Sequence, residues 1–170
     1  MNRPHYILLP VSPLFIGFSL MAAFLLKMLP WGHFIGAPDF VALVLVFWGI
    51  HQPRKVGIGV AFSMGLMMDV HEATLLGENA LAYTLLSYFA IMIHRRMLWF
   101  RPLTQALHVL PLLVMMQVVQ MLIQALVSGK FPGWYYFASS LVSAALWPLV
   151  TWMLLAPQRR AVNRDETRPI

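Results

Sequence analysis

The chain has 170 residues, of which 60% are apolar and only 11% are charged, and it contains no cysteine. This composition is more apolar than that of soluble domains, and the lack of cysteine excludes disulfides, thiolate chemistry and cysteine metal sites. The net charge of +6 comes from short turns and a tail rather than from one basic face, so it does not predict nucleic-acid binding.

Uncharged apolar runs predict six membrane helices. A span needs about 20 apolar residues at a rise of 1.5 Å each, so the first, fifth and sixth runs fit easily, while the second, third and fourth are marginal. The predicted helices cover residues 7–28, 38–51, 56–70, 79–97, 103–127 and 134–156, and a short tail follows at 157–170. We therefore expect an all-α integral membrane protein in which residues 1–170 form a single six-span domain.

The distribution of basic residues predicts the orientation of these spans. If the amino terminus lies inside and six helices alternate, only Lys27 and Lys130 fall outside. Ten basic residues then fall inside: Arg3, Arg54, Lys55, Arg95, Arg96, Arg101, Arg159, Arg160, Arg164 and Arg168. Because cytoplasmic loops are enriched in Lys and Arg, this pattern favours an inner-membrane protein with both termini in the cytoplasm.

Two of the marginal helices have recognisable starts. Pro38 is preorganised for a first helical turn, and Asp39 there would meet the positive end of the helix dipole. Gly77 predicts a turn that leads into the fourth helix.

The third predicted helix carries a ridge of small residues. Gly57, Ala61 and Gly65 follow at four-residue spacing, and Asp69 continues the same face. Small side chains at this spacing allow another helix backbone to approach closely. The ridge is consistent either with packing inside the bundle or with a docking surface for a partner helix.

Asp69 is the most unusual residue of that face, because a carboxylate near the boundary of a short membrane helix needs a partner or water. With His71, Glu72 and Glu78 it makes the segment between the third and fourth helices acidic. No metal-ligand spacing such as His-Glu-x-x-His is present. A proton relay, a structural role and a docking role remain open for Asp69.

The last two helices contain further polar and shape-determining residues. Gln117, Gln120 and Gln124 face roughly one side of the fifth helix, where they could form interhelical hydrogen bonds or line a solute path. Trp147 and Pro148 lie within the sixth helix, and the proline ring frees a carbonyl and can bend the helix there.

Catalysis is not indicated by any motif. The chain has no G-x-S-x-G, H-E-x-x-H or G-x-x-x-x-G-K-[ST] pattern, and its six histidines are scattered. We therefore predict a protein that is not an enzyme, with no catalytic residues, no cofactor and no bound metal.

One set of features, taken in chain order, resembles the rod shape-determining MreD family. The set consists of Pro38-Asp39, an apolar run to Trp48, a short basic turn, the ridge from Gly57 to Gly65, Asp69, Leu76-Gly77 and Leu146-Trp147-Pro148. It extends from about Pro30 to Pro157. The match depends on the order and spacing of its parts, since each is common in membrane proteins.

The resemblance implies a non-enzymatic subunit of the machinery that elongates the lateral bacterial cell wall. Its partners would be an MreC-like bitopic protein, the MreB filament, and a RodA-type glycosyltransferase with its transpeptidase, all in contact with membrane lipid. The fold would resemble the substrate-binding subunits of energy-coupling-factor vitamin transporters, so solute binding for uptake is the alternative. The ridge favours the first function, because an uptake subunit should enclose a polar pocket.

Overall fold

The computed structural model describes residues 11–29, 36–129 and 133–158. Its α-helices are α1 (Pro13–Met28), α2 (Phe40–His51), α3 (Ile58–Glu72), α4 (Glu78–Met97), α5 (Pro102–Ser128) and α6 (Ala138–Leu155). Short 3-10 turns at Trp134–Phe137 and Ala156–Gln158 flank α6. These three ranges contain no strand, which confirms the prediction of an all-α fold.

The shortest α-helix, α2, lies at the centre of the bundle. Its residues from Phe40 to Ile50 are all apolar or glycine, and a helix that is apolar on every side is stable only when it is enclosed. Every residue from 41 to 50 is buried, with α1, α4 and α6 packed around the helix. Around this centre, α3 pairs with α4 and α5 pairs with α6, while α4 also contacts α5.

The starts of α1, α2 and α6 differ from the predicted ones. Ser12 caps α1 by accepting a hydrogen bond from the Phe15 amide, and α1 begins at Pro13; residues 7–10 lie outside the described part. Asp39 is the N-cap of α2, so Pro38 precedes the helix instead of lying in its first turn. The residues predicted to open α6 form the 3-10 turn at Trp134–Phe137.

The outer surface of the bundle is apolar. Two helical stretches, Pro102–Val127 and Tyr135–Gln158, are long and apolar enough to cross a membrane. Large apolar side chains that face outward include Leu14, Phe18, Leu103, Leu107, Leu126 and Trp152. Soluble monomers rarely expose so much continuous apolar surface, so the structure indicates a membrane protein. The six spans and the likeness to vitamin-uptake subunits stay predictions.

Candidate functional site

One end of the bundle holds a cavity of about 330 Å³. At this end, which we call the polar end, α1, α3 and α5 finish and α2, α4 and α6 start. Polar side chains from all of these segments line the cavity: Lys27, Asp39, Glu72, Thr74, Glu78, Asn79, Gln117, Gln120, Gln124, Tyr135, Tyr136 and Ser139. We refer to it below as the polar cavity.

The first group of interacting side chains in the cavity wall surrounds Lys27, near the end of α1. Its ammonium lies 2.9 Å from Asp39 Oδ2 and 3.3 Å from Glu72 Oε1. It also donates to the Tyr83 hydroxyl at 3.3 Å, and that hydroxyl donates to Asp39 Oδ2 at 2.8 Å. A charged amine in an apolar helix requires such partners, and here they join α1 to the start of α2, to α3 and to α4.

Asp39 connects this Lys27 group to α2 and α6. Its second oxygen, Oδ1, accepts from the Ala42 amide at 3.0 Å, which satisfies a free N–H in the first turn of α2. Its own backbone N–H donates to Ser143 Oγ at 3.0 Å. The Asp39 carboxylate is therefore a helix cap and an ion-pair partner at the same time.

Asp69 caps the neighbouring helix rather than its own. Its side chain, at the end of α3, accepts from the backbone amides of Gly77 at 2.8 Å and Asn79 at 2.7 Å, where α4 begins. The Thr74 hydroxyl donates to the same carboxylate at 3.3 Å. Gly77 has a φ of 103°, a left-handed conformation that suits glycine and turns the chain into α4. Asp69 is 1% exposed, so the two amides and the Thr74 hydroxyl take the place of water around its carboxylate.

This arrangement predicts a graded effect of two substitutions at Asp69. We expect Asp69→Leu to lower the free energy of unfolding by about 2 kcal/mol, because the backbone amides of Gly77 and Asn79 would stay buried without an acceptor. Asp69→Asn keeps one acceptor oxygen and should cost about 1 kcal/mol. Thermal unfolding in detergent measures both, and a leucine variant as stable as the parent chain would contradict the capping role.

The three glutamines of α5 form interhelical hydrogen bonds and also line the polar cavity. Gln120 donates to Asn79 Oδ1 at 2.6 Å, and Gln124 donates to Glu78 Oε1 at 2.6 Å, which joins α5 to α4. Gln117 donates to the Ser139 hydroxyl and accepts from the Ser140 hydroxyl, which joins α5 to α6. The interhelical bonds and the cavity wall are therefore formed by the same side chains.

The ridge on α3 meets another helix of the same chain. A Cβ on Gly65 would lie 2.3 Å from Ala80 Cα, so the two backbones are in direct contact at the start of α4. Ala61 is fully buried. Gly57 has nothing within 4 Å of its Cβ position and is instead the N-cap residue of α3.

Both tryptophans that the sequence singled out are interior residues. Trp48 donates to Ser19 Oγ at 2.8 Å and so connects α2 to α1. Trp147 donates to Gln105 Oε1 at 3.2 Å and connects α6 to α5. Pro148 lies inside α6 next to Trp147. None of these three residues lines the polar cavity.

Sequence reasoning missed several residues of the site. Lys27 served only as a charge for orientation, and no role in a polar site was predicted for Tyr83, Asn79 or Tyr136. One signal was present in the sequence: Lys27 is the single charged residue between Ile7 and Pro38, within an otherwise apolar run. An ammonium in that position predicts a carboxylate partner, although not which one.

Comparisons with known proteins extend over nearly the whole chain. A family model described as rod shape-determining protein MreD matches residues 7–156. The rod shape-determining protein MreD of Haemophilus influenzae (strain ATCC 51907 / DSM 11121 / KW20 / Rd) is 30% identical over 147 residues, which cover 83% of this chain and 88% of that protein. No solved structure matches. The family match thus includes all six helices and the polar cavity.

Proposed function

Because the chain belongs to the MreD family of rod shape-determining proteins, we propose that it is a non-enzymatic inner-membrane subunit of the cell-wall elongation machinery. In this role it binds an MreC-like bitopic partner through its transmembrane helices and works beside an MreB filament and a RodA-type glycosyltransferase with its transpeptidase. The observation that carries the proposal is the family match over residues 7–156. The alternative of solute uptake receives no support from these comparisons, although the chain does hold a polar cavity.

The burial of most candidate partner-binding residues argues against the binding position for a partner helix that the sequence suggested. Asp39, Trp48, Ala61, Gly65 and Asp69 are all buried by other parts of the chain. A partner could reach them only by separating helices that contact each other directly. We therefore propose that the MreC-like helix binds an outward apolar face of the bundle, where side chains such as those in α1 and α3 are exposed.

The orientation that accompanies this function has six spans, cytoplasmic termini and the polar end at the outer surface. The chain has no cysteine, so single cysteines can report the side of the membrane on which each position lies. Cysteines at Trp31, Thr74 and Gly133 are expected to react with an impermeant thiol reagent in intact spheroplasts. Those at Gln52 and Asn163 should react only after lysis, and the reverse pattern would contradict the orientation.

Depletion of the protein in a rod-shaped host tests the function directly. Rod cells are expected to become round as the protein is lost, and the tagged chain should recover an MreC-like partner from detergent extracts. Expression of the parent chain in trans is the control and should restore the rod. Normal shape together with a loss of vitamin uptake would instead favour the transporter function.

A further inference from the structure

Among the described residues, the wall of the polar cavity has more negative than positive charge. These residues include three carboxylates, Asp39, Glu72 and Glu78, and one ammonium, Lys27, so their formal charge is −2. Lys27 contacts two of these carboxylates, Asp39 and Glu72. Of the described residues, none places a cation within salt-bridge distance of Glu78.

Two donors of the wall, the Lys27 ammonium and the Tyr136 hydroxyl, already bond to groups of the chain itself. Lys27 donates to Asp39 and Tyr83 and lies beside Glu72, and the Tyr136 hydroxyl donates to Gln120 Oε1 at 2.7 Å. The single O–H of Tyr136 is used in this bond, and the Lys27 ammonium is already next to two carboxylates and a phenol of the chain. Among the described wall residues, the charged acceptors therefore outnumber the charged donor.

Glu78 is the carboxylate of the wall that has no cation beside it among the described residues. The residue is only 4% exposed, and its Oε1 accepts from Gln124 at 2.6 Å. Its second oxygen has no hydrogen-bond partner in the described ranges, and the residue belongs to the cavity wall. A buried carboxylate without a cation is unfavourable, and a charged donor in the cavity would remove that cost.

We propose that the polar cavity binds a primary ammonium group, carried by a lipid headgroup or a small soluble amine, and that Glu78 is its main carboxylate partner. A volume of about 330 Å³ is at the small end of ligand cavities, which suits a headgroup-sized ligand. The proposal does not depend on the partner protein proposed above, because the cavity is formed by this chain alone.

Binding is tested on the purified full chain in detergent with two amine probes. Free ethanolamine is titrated while thermal unfolding is followed, and phosphatidylethanolamine retention is measured by mass spectrometry of the intact protein. Choline and phosphatidylcholine are the matched controls, since they carry the same positive charge without N–H donors. At least one amine probe is expected to bind about tenfold more tightly than its choline counterpart.

The source of the ammonium follows from which probe binds. Retention of phosphatidylethanolamine without an ethanolamine effect identifies a lipid headgroup, and the opposite result identifies a soluble amine. Equal binding of amine and choline probes, or no binding of either amine, would overturn the proposal. Rod shape and partner recovery are measured separately, so failure here leaves the proposed cellular function untouched, and the converse also holds.

Two variants connect binding to Glu78. Glu78→Gln removes the charge with little change in shape and should weaken amine binding about tenfold, whereas Glu166→Gln, the same change in the sequence after α6, should have no effect. Gln124→Lys places an ammonium of the chain next to Glu78 and should abolish amine binding while raising the unfolding temperature. Unchanged binding in either cavity variant would contradict the assignment of Glu78. If the Glu78→Gln chain does not fold, the Gln124→Lys chain provides the test.

Discussion

Replacing Gly65 with alanine is expected to lower the free energy of unfolding by about 3 kcal/mol, the upper range for overpacking a rigid contact. The new Cβ would lie 2.3 Å from Ala80 Cα and 2.6 Å from Ala80 N. Both are backbone atoms in the first turn of α4, so no side-chain rotation can relieve the overlap. Helices α3 and α4 would have to separate, which would also move Asp69 away from the amides it caps.

A matched control is available in the same helix. Gly59 is also helical and exposed, and nothing lies within 4 Å of its Cβ position. Gly59→Ala should therefore be neutral or stabilise the chain by up to about 1 kcal/mol, because alanine has the higher helix propensity. Thermal unfolding of both variants in the same detergent measures the difference. Equal effects of the two substitutions would show that the α3–α4 contact is looser than described.

Replacing Lys27 with methionine is expected to cost about 3 kcal/mol of unfolding free energy, the usual loss when one partner of a buried ion pair is removed. The side chains of Lys27 and Asp39 are only 19% and 11% exposed, so water from the cavity would replace the lost ammonium only in part. Asp39 would keep its Tyr83 and Ala42 donors but lose its counter-charge, and Glu72 would lose its only cation among the described residues.

A second substitution separates the charge effect from packing. Lys27→Met combined with Asp39→Asn should recover about half of the loss, since asparagine still caps α2 and no longer carries a charge. Lys55→Met is the control for lysine removal, because Lys55 is exposed and its ammonium donates to a backbone carbonyl, that of Val11. It should cost less than about 1 kcal/mol. A Lys27→Met chain as stable as this control would contradict a stabilising role for the ion pair.

Some features followed from the sequence alone because they depend on local composition. The long apolar runs predicted helices, and the all-apolar segment from Phe40 to Ile50 became the enclosed centre of the bundle because no face of it can contact water favourably. The four-residue spacing of Ala61 and Gly65 placed them on one face of α3. The ordered features from Pro38 to Pro148 led to the MreD family, which the comparisons confirmed.

Only the tertiary structure decided which groups meet. Lys27 and Tyr83 are 56 residues apart, and Gln124 and Glu78 are 46 residues apart, so no local pattern could pair them. The ridge fitted a partner helix as well as it fitted α4, because small residues favour any close backbone and do not encode which one. The polar cavity exists because six helix ends converge on one surface, and the excess of carboxylates among its described residues depends on which side chains these ends bring together.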